Sequence, residues 1–126
     1  TIIETYDKLD KYFNVSFIST INSLNIGKFT QLKKDIGHRK WNQGSVIVNN
    51  RPYTLSAIPD DVKEMYLNDC FEFGMIELIS YLEDSVYNEK VMNELMQHCK
   101  RRDTLRGTNL LDVFPEWKEY YETCNG

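Results

Sequence analysis

Two runs rich in β-branched and aromatic residues, VSFISTI at 15–21 and SVIVN at 45–49, limit the folds open to this chain more than any other feature. Neither alternates apolar with polar residues, so each reads as a short strand covered on both faces, the pattern of a buried parallel sheet. Between them NSLN reads as a turn, and IGKFTQLKKDIGHRK repeats Phe29, Leu32 and Ile36 at helical spacing until Gly37 offers a C-terminal stop. Strand, helix and strand within about 35 residues predict a right-handed βαβ crossover, with Gly44 as punctuation before the second strand. Upstream, Ile2, Tyr6, Leu9 and Phe13 share one stripe of a first helix that should end near Asn14, and the alternation extends to αβαβ.

Beyond Asn50 the character changes to helix. Pro59 falls at a first helical position, with Asp60 and Asp61 placed to suit the positive end of the helix dipole. MIELISYLEDS reads as a further helix after Gly74. NEKVMNELMQHCKRRDTLR carries Met92, Leu95, Met96 and Cys99 on one face and stops at Gly107. Pro115 opens a short amphipathic tail helix in which Trp117, Tyr120 and Tyr121 supply buried area, and an Asp103–Arg106 ion pair is expected to fix the turn before Asn109. Two strands against about six helices are a poor balance for a self-standing doubly wound sheet, because a two-stranded parallel sheet leaves its edges and faces open. The expectation is that the strands complete a sheet or barrel begun outside this chain, and that the open edges favour self-association.

Size and composition narrow the class. The 126 residues suit one compact unit with a real core. No apolar run approaches the roughly 18 residues of a membrane span. The start, TIIETYDKLDKYF, has no Met, basic region or apolar stretch of a signal peptide and reads as cut inside a helix. Cys70, Cys99 and Cys124 are odd in number and widely spaced, which argues against a disulfide framework or a C-x-x-C site and makes reduced thiols in a cytoplasmic setting the expectation. Net charge is −4, unevenly spread: 60–94 holds ten acids against two lysines, while 28–40 and 100–106 hold five and four basic residues against one Asp each. The acidic stretch reads as solvated helix faces, and the basic clusters as surface or as contacts for phosphate.

No G-x-S-x-G, phosphate-loop, H-E-x-x-H or G-x-G-x-x-G motif is present. His38 and His98 have no ligand-spaced partners, so a zinc site is not expected. Cys99, on the apolar stripe with Leu95, reads as core and not as a nucleophile. In α/β sheets and barrels ligands sit at the C-terminal ends of the strands. Here those ends are Thr20, Asn22 and Asn25, and Asn49, Asn50 and Arg51, a polar set suited to a nucleotide-like ligand. A lone Asn is more often a turn or cap residue.

Two segments carry a family likeness. NNRPYTLSAIPDDVKEMY resembles an Asn-Pro-x-Tyr-Leu pattern followed by Leu-Pro-x-x-Val-Lys, and RRDTLRGTNLLDVFPEWKEYY resembles a Leu-Asp-x-x-Arg tail ending in Phe-Pro-Glu, both found in radical S-adenosylmethionine (radical SAM) proteins with a short twitch-type C-terminal region. VSFISTINSLNI is also similar to a late barrel strand of that family, with Asn25 at the position of a recurring Asn. The resemblance covers most of the chain from about Val15. It implies the helix-rich C-terminal half of a partial (β/α)6 TIM-like barrel, with 1–58 as late β/α units and 59–126 as the helical, twitch-like region.

The family's [4Fe-4S] cluster is held by a C-x-x-x-C-x-x-C loop and reduces S-adenosylmethionine to generate a 5′-deoxyadenosyl radical. This chain lacks that motif, and its three cysteines cannot supply the spacing. The resemblance therefore implies the C-terminal portion of such an enzyme, inactive alone, with no metal ligand and no catalytic residue of its own. Thr20, Asn22, Asn25 and Asn49 would help contact S-adenosylmethionine, the tail helices would border the substrate pocket, and the partners would be the missing half of the barrel and a peptide or small-molecule substrate. The competing expectation is a non-catalytic α-rich module that docks another protein through its acidic 60–94 face or basic 28–40 segment. Nucleic acid would require the basic clusters to merge on one face, and the net charge argues against it.

Overall fold

A computed structural model describes residues 1–14, 16–48 and 50–124. Helix α1 (Ile2–Asp10) begins at Thr1, whose hydroxyl accepts from the Glu4 N–H while the Glu4 carboxylate reaches back to the terminal amine, a reciprocal cap. Strand β1 (Phe17–Ile21) leads through a 3-10 turn at Asn25–Lys28 into α2 (Phe29–Ile36), which stops at Gly37 with φ +64°. Strand β2 (Trp41–Ile47) pairs in parallel with β1. After a loop and a 3-10 turn at Leu55–Ala57 come α3 (Asp60–Glu72), α4 (Ile76–Asp84) and α5 (Glu89–Arg106), then two 3-10 turns and α6 (Lys118–Thr123).

The strand pair is irregular. Ile18 faces Asn42 and Thr20 faces Val46, so β2 advances four residues while β1 advances two. Gly44 lies inside that bulge and β2 starts at Trp41, earlier than the apolar run SVIVN suggests. A glycine in a strand interior marks such a departure as readily as it marks a loop.

The core is built by helices. α5 buries Val91, Met92, Leu95, Met96 and Cys99 on one face, and these meet Leu55, Ala57 and Ile58 from the turn before α3. Val62, Tyr66 and Cys70 of α3, Met75, Leu78 and Leu82 around α4, and Trp117 complete the same cluster. Ile21 is fully buried there, and Ile47 packs at its edge. α5 has defined ends: the Asn88 side chain accepts from the N–H groups of Lys90 and Val91, and Gly107 closes the helix in the left-handed region.

This architecture overturns the barrel. Among the described residues no third strand joins β1 and β2, and the apolar faces of α3, α4 and α5 close on one another and on Trp117 instead of lining a curved sheet. The expectation failed because two strand-like runs were extrapolated to a larger sheet, whereas the buried area of this molecule comes from its helix faces. The expected Asp103–Arg106 ion pair is also absent: Asp103 turns to accept from the Leu110 N–H at 2.8 Å, the Thr108 hydroxyl at 2.7 Å and the Tyr121 hydroxyl at 2.5 Å. Three neutral donors in fixed positions satisfy both carboxylate oxygens, leaving none aimed at an exposed guanidinium.

α1 sits apart from this core. Tyr6 is its one buried residue, its hydroxyl accepting from the Lys40 N–H, and Arg39 grips Asp7 with two bonds of 2.7 Å. The rest of the expected apolar stripe is open, with Ile2 77%, Leu9 43% and Phe13 65% exposed. Among the described residues no helix is long and apolar enough to cross a membrane.

Candidate functional site

The polar residues after β1 converge, but on one another. The Asn22 side-chain oxygen accepts from the N–H groups of Leu24 and Asn25, both at 2.9 Å. Asn25 answers with its own oxygen on the Asn22 N–H at 2.9 Å and its amide nitrogen on the Thr20 carbonyl at 2.7 Å. Both ends of the Asn25 amide are thus committed to closing the turn, the role an Asx residue takes where the backbone leaves a strand. Thr20 and Asn50 are exposed, Arg51 pairs with Glu94 at 2.8 Å, and Asn49 lies outside the described residues.

Beside this turn lies a groove of about 200 Å3, floored by Cys99, Leu24, Leu110 and Phe114 and rimmed by Arg102 and Arg106. Each comes from a different local cause. α5 carries Cys99, Arg102 and Arg106 at three- and four-residue spacing, so they lie along one face. The Asn22–Asn25 turn presents Leu24, and the Asn109 side chain, accepting from the Leu111 N–H, starts the turn that presents Leu110. Lys28 reaches over the Phe114 ring, 5.5 Å from its centroid. Of the two basic clusters of the sequence, the one at 100–106 lines the groove, and the one at 28–40 touches it only through this stacking.

A polar relay adjoins the groove. Arg102 donates to the Tyr53 hydroxyl oxygen at 3.1 Å, and that hydroxyl lies 2.9 Å from His98 Nδ1. The sequence signal for this group was the four-residue spacing of His98 and Arg102. Tyr53 could not be joined to them from sequence, since it stands 45 residues away.

The ionisable groups nearby are set for structure. Burial pushes the Cys99 thiol up to about 11, with Asp103 adding to the effect, and burial does the same at Cys70. Burial also works to raise Asp103, but its hydrogen bonds from Tyr121, Leu110 and Thr108, with the charge of Arg102, outweigh it and hold the carboxyl below its usual range. Such thiols are poor metal ligands at neutral pH, and among the described residues no three His, Cys, Asp or Glu side chains are grouped to hold a metal ion. The residues present do not fit an iron–sulfur cluster.

The two segments that resemble radical SAM proteins meet in space. Tyr66, fully sequestered on α3, donates to Glu116 at 2.6 Å and accepts from the Trp117 indole at 2.9 Å, and Tyr120 donates to Asp61. The Phe-Pro-Glu-Trp stretch is therefore an anchor: Pro115 turns the chain, Glu116 and Trp117 hold the α3 tyrosine, and α6 follows. No family model, curated protein or solved structure matches the chain.

Proposed function

We propose that this chain is the C-terminal portion of a radical SAM enzyme, a part that holds and borders a pocket without performing chemistry itself. The observation that supports this is the Tyr66–Glu116–Trp117 anchor. It joins, across 50 residues of sequence, the two stretches that bear the family likeness, so the likeness follows a physical unit and not two unrelated matches. The cluster and the S-adenosylmethionine would be held by residues outside this chain. Within it, Arg102, Tyr53 and His98 offer a rigid polar border, and the tail from Gly107 to Thr123 covers the helical core.

The test is to read the coding sequence upstream of Thr1 and then reconstitute the encoded protein anaerobically with iron, sulfide and S-adenosylmethionine. An in-frame C-x-x-x-C-x-x-C and release of 5′-deoxyadenosine are expected. An upstream sequence without that motif, or a reconstituted protein that releases none, would sink the proposal.

The open side of α1 favours a second reading, a non-catalytic α-rich protein-binding module, because Ile2 and Leu9 on the helix and Phe13 just beyond its end are exposed apolar groups that a partner could cover. A start codon directly before Thr1 would select this reading over the first.

A further inference from the structure

We infer that the groove between the end of α5 and the Leu24 turn is a binding site for a small phosphate monoester with an apolar body. This does not rest on the radical SAM reading.

Charge sets the first requirement. Arg102 and Arg106 line the groove, and neither forms an ion pair among the described residues. The one carboxylate in the lining, Asp103, is tied down by Tyr121, Leu110 and Thr108. Two guanidiniums beside a carboxylate already satisfied by neutral donors leave the groove open to an anion, and their fork geometry suits phosphate. Arg102 already spends one nitrogen on Tyr53, which fixes its plane, while Arg106 has all its donors free.

The body of the ligand is set by the floor. Leu24, Leu110 and Phe114 are half-buried and apolar, so they gain from covering carbon and not water. The volume of about 200 Å3 falls below the roughly 300–1,000 Å3 of drug-sized sites, which restricts the occupant to something near a single ring with its phosphate. Thr108 lines the rim without binding the anion, since its hydroxyl proton and its N–H are both given to Asp103.

Phenyl phosphate is the probe, titrated into the whole chain and followed by amide NMR, with inorganic phosphate and benzyl alcohol as comparisons. Saturable shifts confined to Leu24, Thr108, Leu110 and Phe114 are expected, stronger for phenyl phosphate than for either comparison. Binding should tighten as pH rises through about 6, where a phosphate monoester loses its second proton. Among the described residues Arg106 makes no side-chain hydrogen bond or ion pair, so Arg106→Gln should stay close to the wild-type melting curve and weaken binding by roughly tenfold or more. Inorganic phosphate binding as tightly as phenyl phosphate would overturn the apolar part of the inference. Shifts spread over 30–40, or an unchanged affinity in Arg106→Gln, would overturn the site.

Discussion

At Gly27 a single methyl group has nowhere to go. A Cβ there would stand 2.5 Å from one ring carbon of Tyr66 and 2.6 Å from the next, and Tyr66 cannot yield because Glu116 and Trp117 hold its hydroxyl. Gly27→Ala should lose about 1–3 kcal/mol of stability by overpacking, measured by urea unfolding, and an unchanged midpoint would show that the ring moves after all. Ser23 presents the reverse case. Its hydroxyl is buried without a hydrogen-bond partner, so Ser23→Ala should leave stability unchanged or raise it by about 1 kcal/mol, visible as a higher melting temperature. Neither site was legible in sequence. Both sit in NSLNIGK, which reads as an ordinary polar turn, and the demands on it come from Tyr66, nearly 40 residues away. Asn22 and Asn25 were visible as a pair, but their spacing is equally that of an Asx-closed turn, which is what they form.

At the level of elements, helix periodicity carried most of the readable information. Met92, Leu95, Met96 and Cys99 share the buried face of α5, and Gly37 and Gly107 end their helices where expected. The stripe of α1 has the same period yet only Tyr6 is covered, because periodicity tells which residues share a face and not whether anything packs on it. α1 is held instead by the Arg39–Asp7 pair, and this gives a pH dependence. The hydrogen bonds from Arg39 lower the Asp7 carboxyl in the folded state, so its contribution is complete above the unfolded value of about 3.9 and is lost as pH falls through the lower folded value. Acidification below the ordinary carboxylate range should therefore release α1, seen as a change in the amide signal of Lys40, which donates to Tyr6. Asp7→Asn should abolish that transition, and its persistence in the variant would assign it to another group.

For the whole molecule, the decisive contact joins α3 to the tail. Removing the Tyr66 hydroxyl strands the buried Trp117 indole N–H, so Tyr66→Phe should cost about 1–3 kcal/mol. Trp117→Phe removes the other half, and in the double variant the losses should fall short of their sum by at least about 0.5 kcal/mol; strict additivity would mean the pair is not coupled. The 50-residue separation of Tyr66 from Glu116 and Trp117 hides this contact in the sequence, and the two strand-like runs upstream read as part of a barrel. Val15–Ile21 and Ser45–Asn49 state only that strands form. The number of neighbours a strand acquires is settled by how much apolar helix surface the rest of the chain must bury, and here the helices bury it against each other.

The same packing turns the three cysteines into clocks. Cys70, Cys99 and Cys124 are unpaired and buried, and burial keeps the first two protonated well above neutral pH. A thiol-modifying reagent can reach Cys70 only when the helical core opens, so its labelling rate counts those openings, whereas Cys99 faces the floor of the groove beside α5 and is approached from that side. Cys124, beyond the last turn of α6, is held by a weak sulfur contact to the Asn93 carbonyl at 3.7 Å and by its own carbonyl, which accepts from Lys100 Nζ at 2.5 Å. It should react first, timing the peeling of the tail separately from the opening of the core.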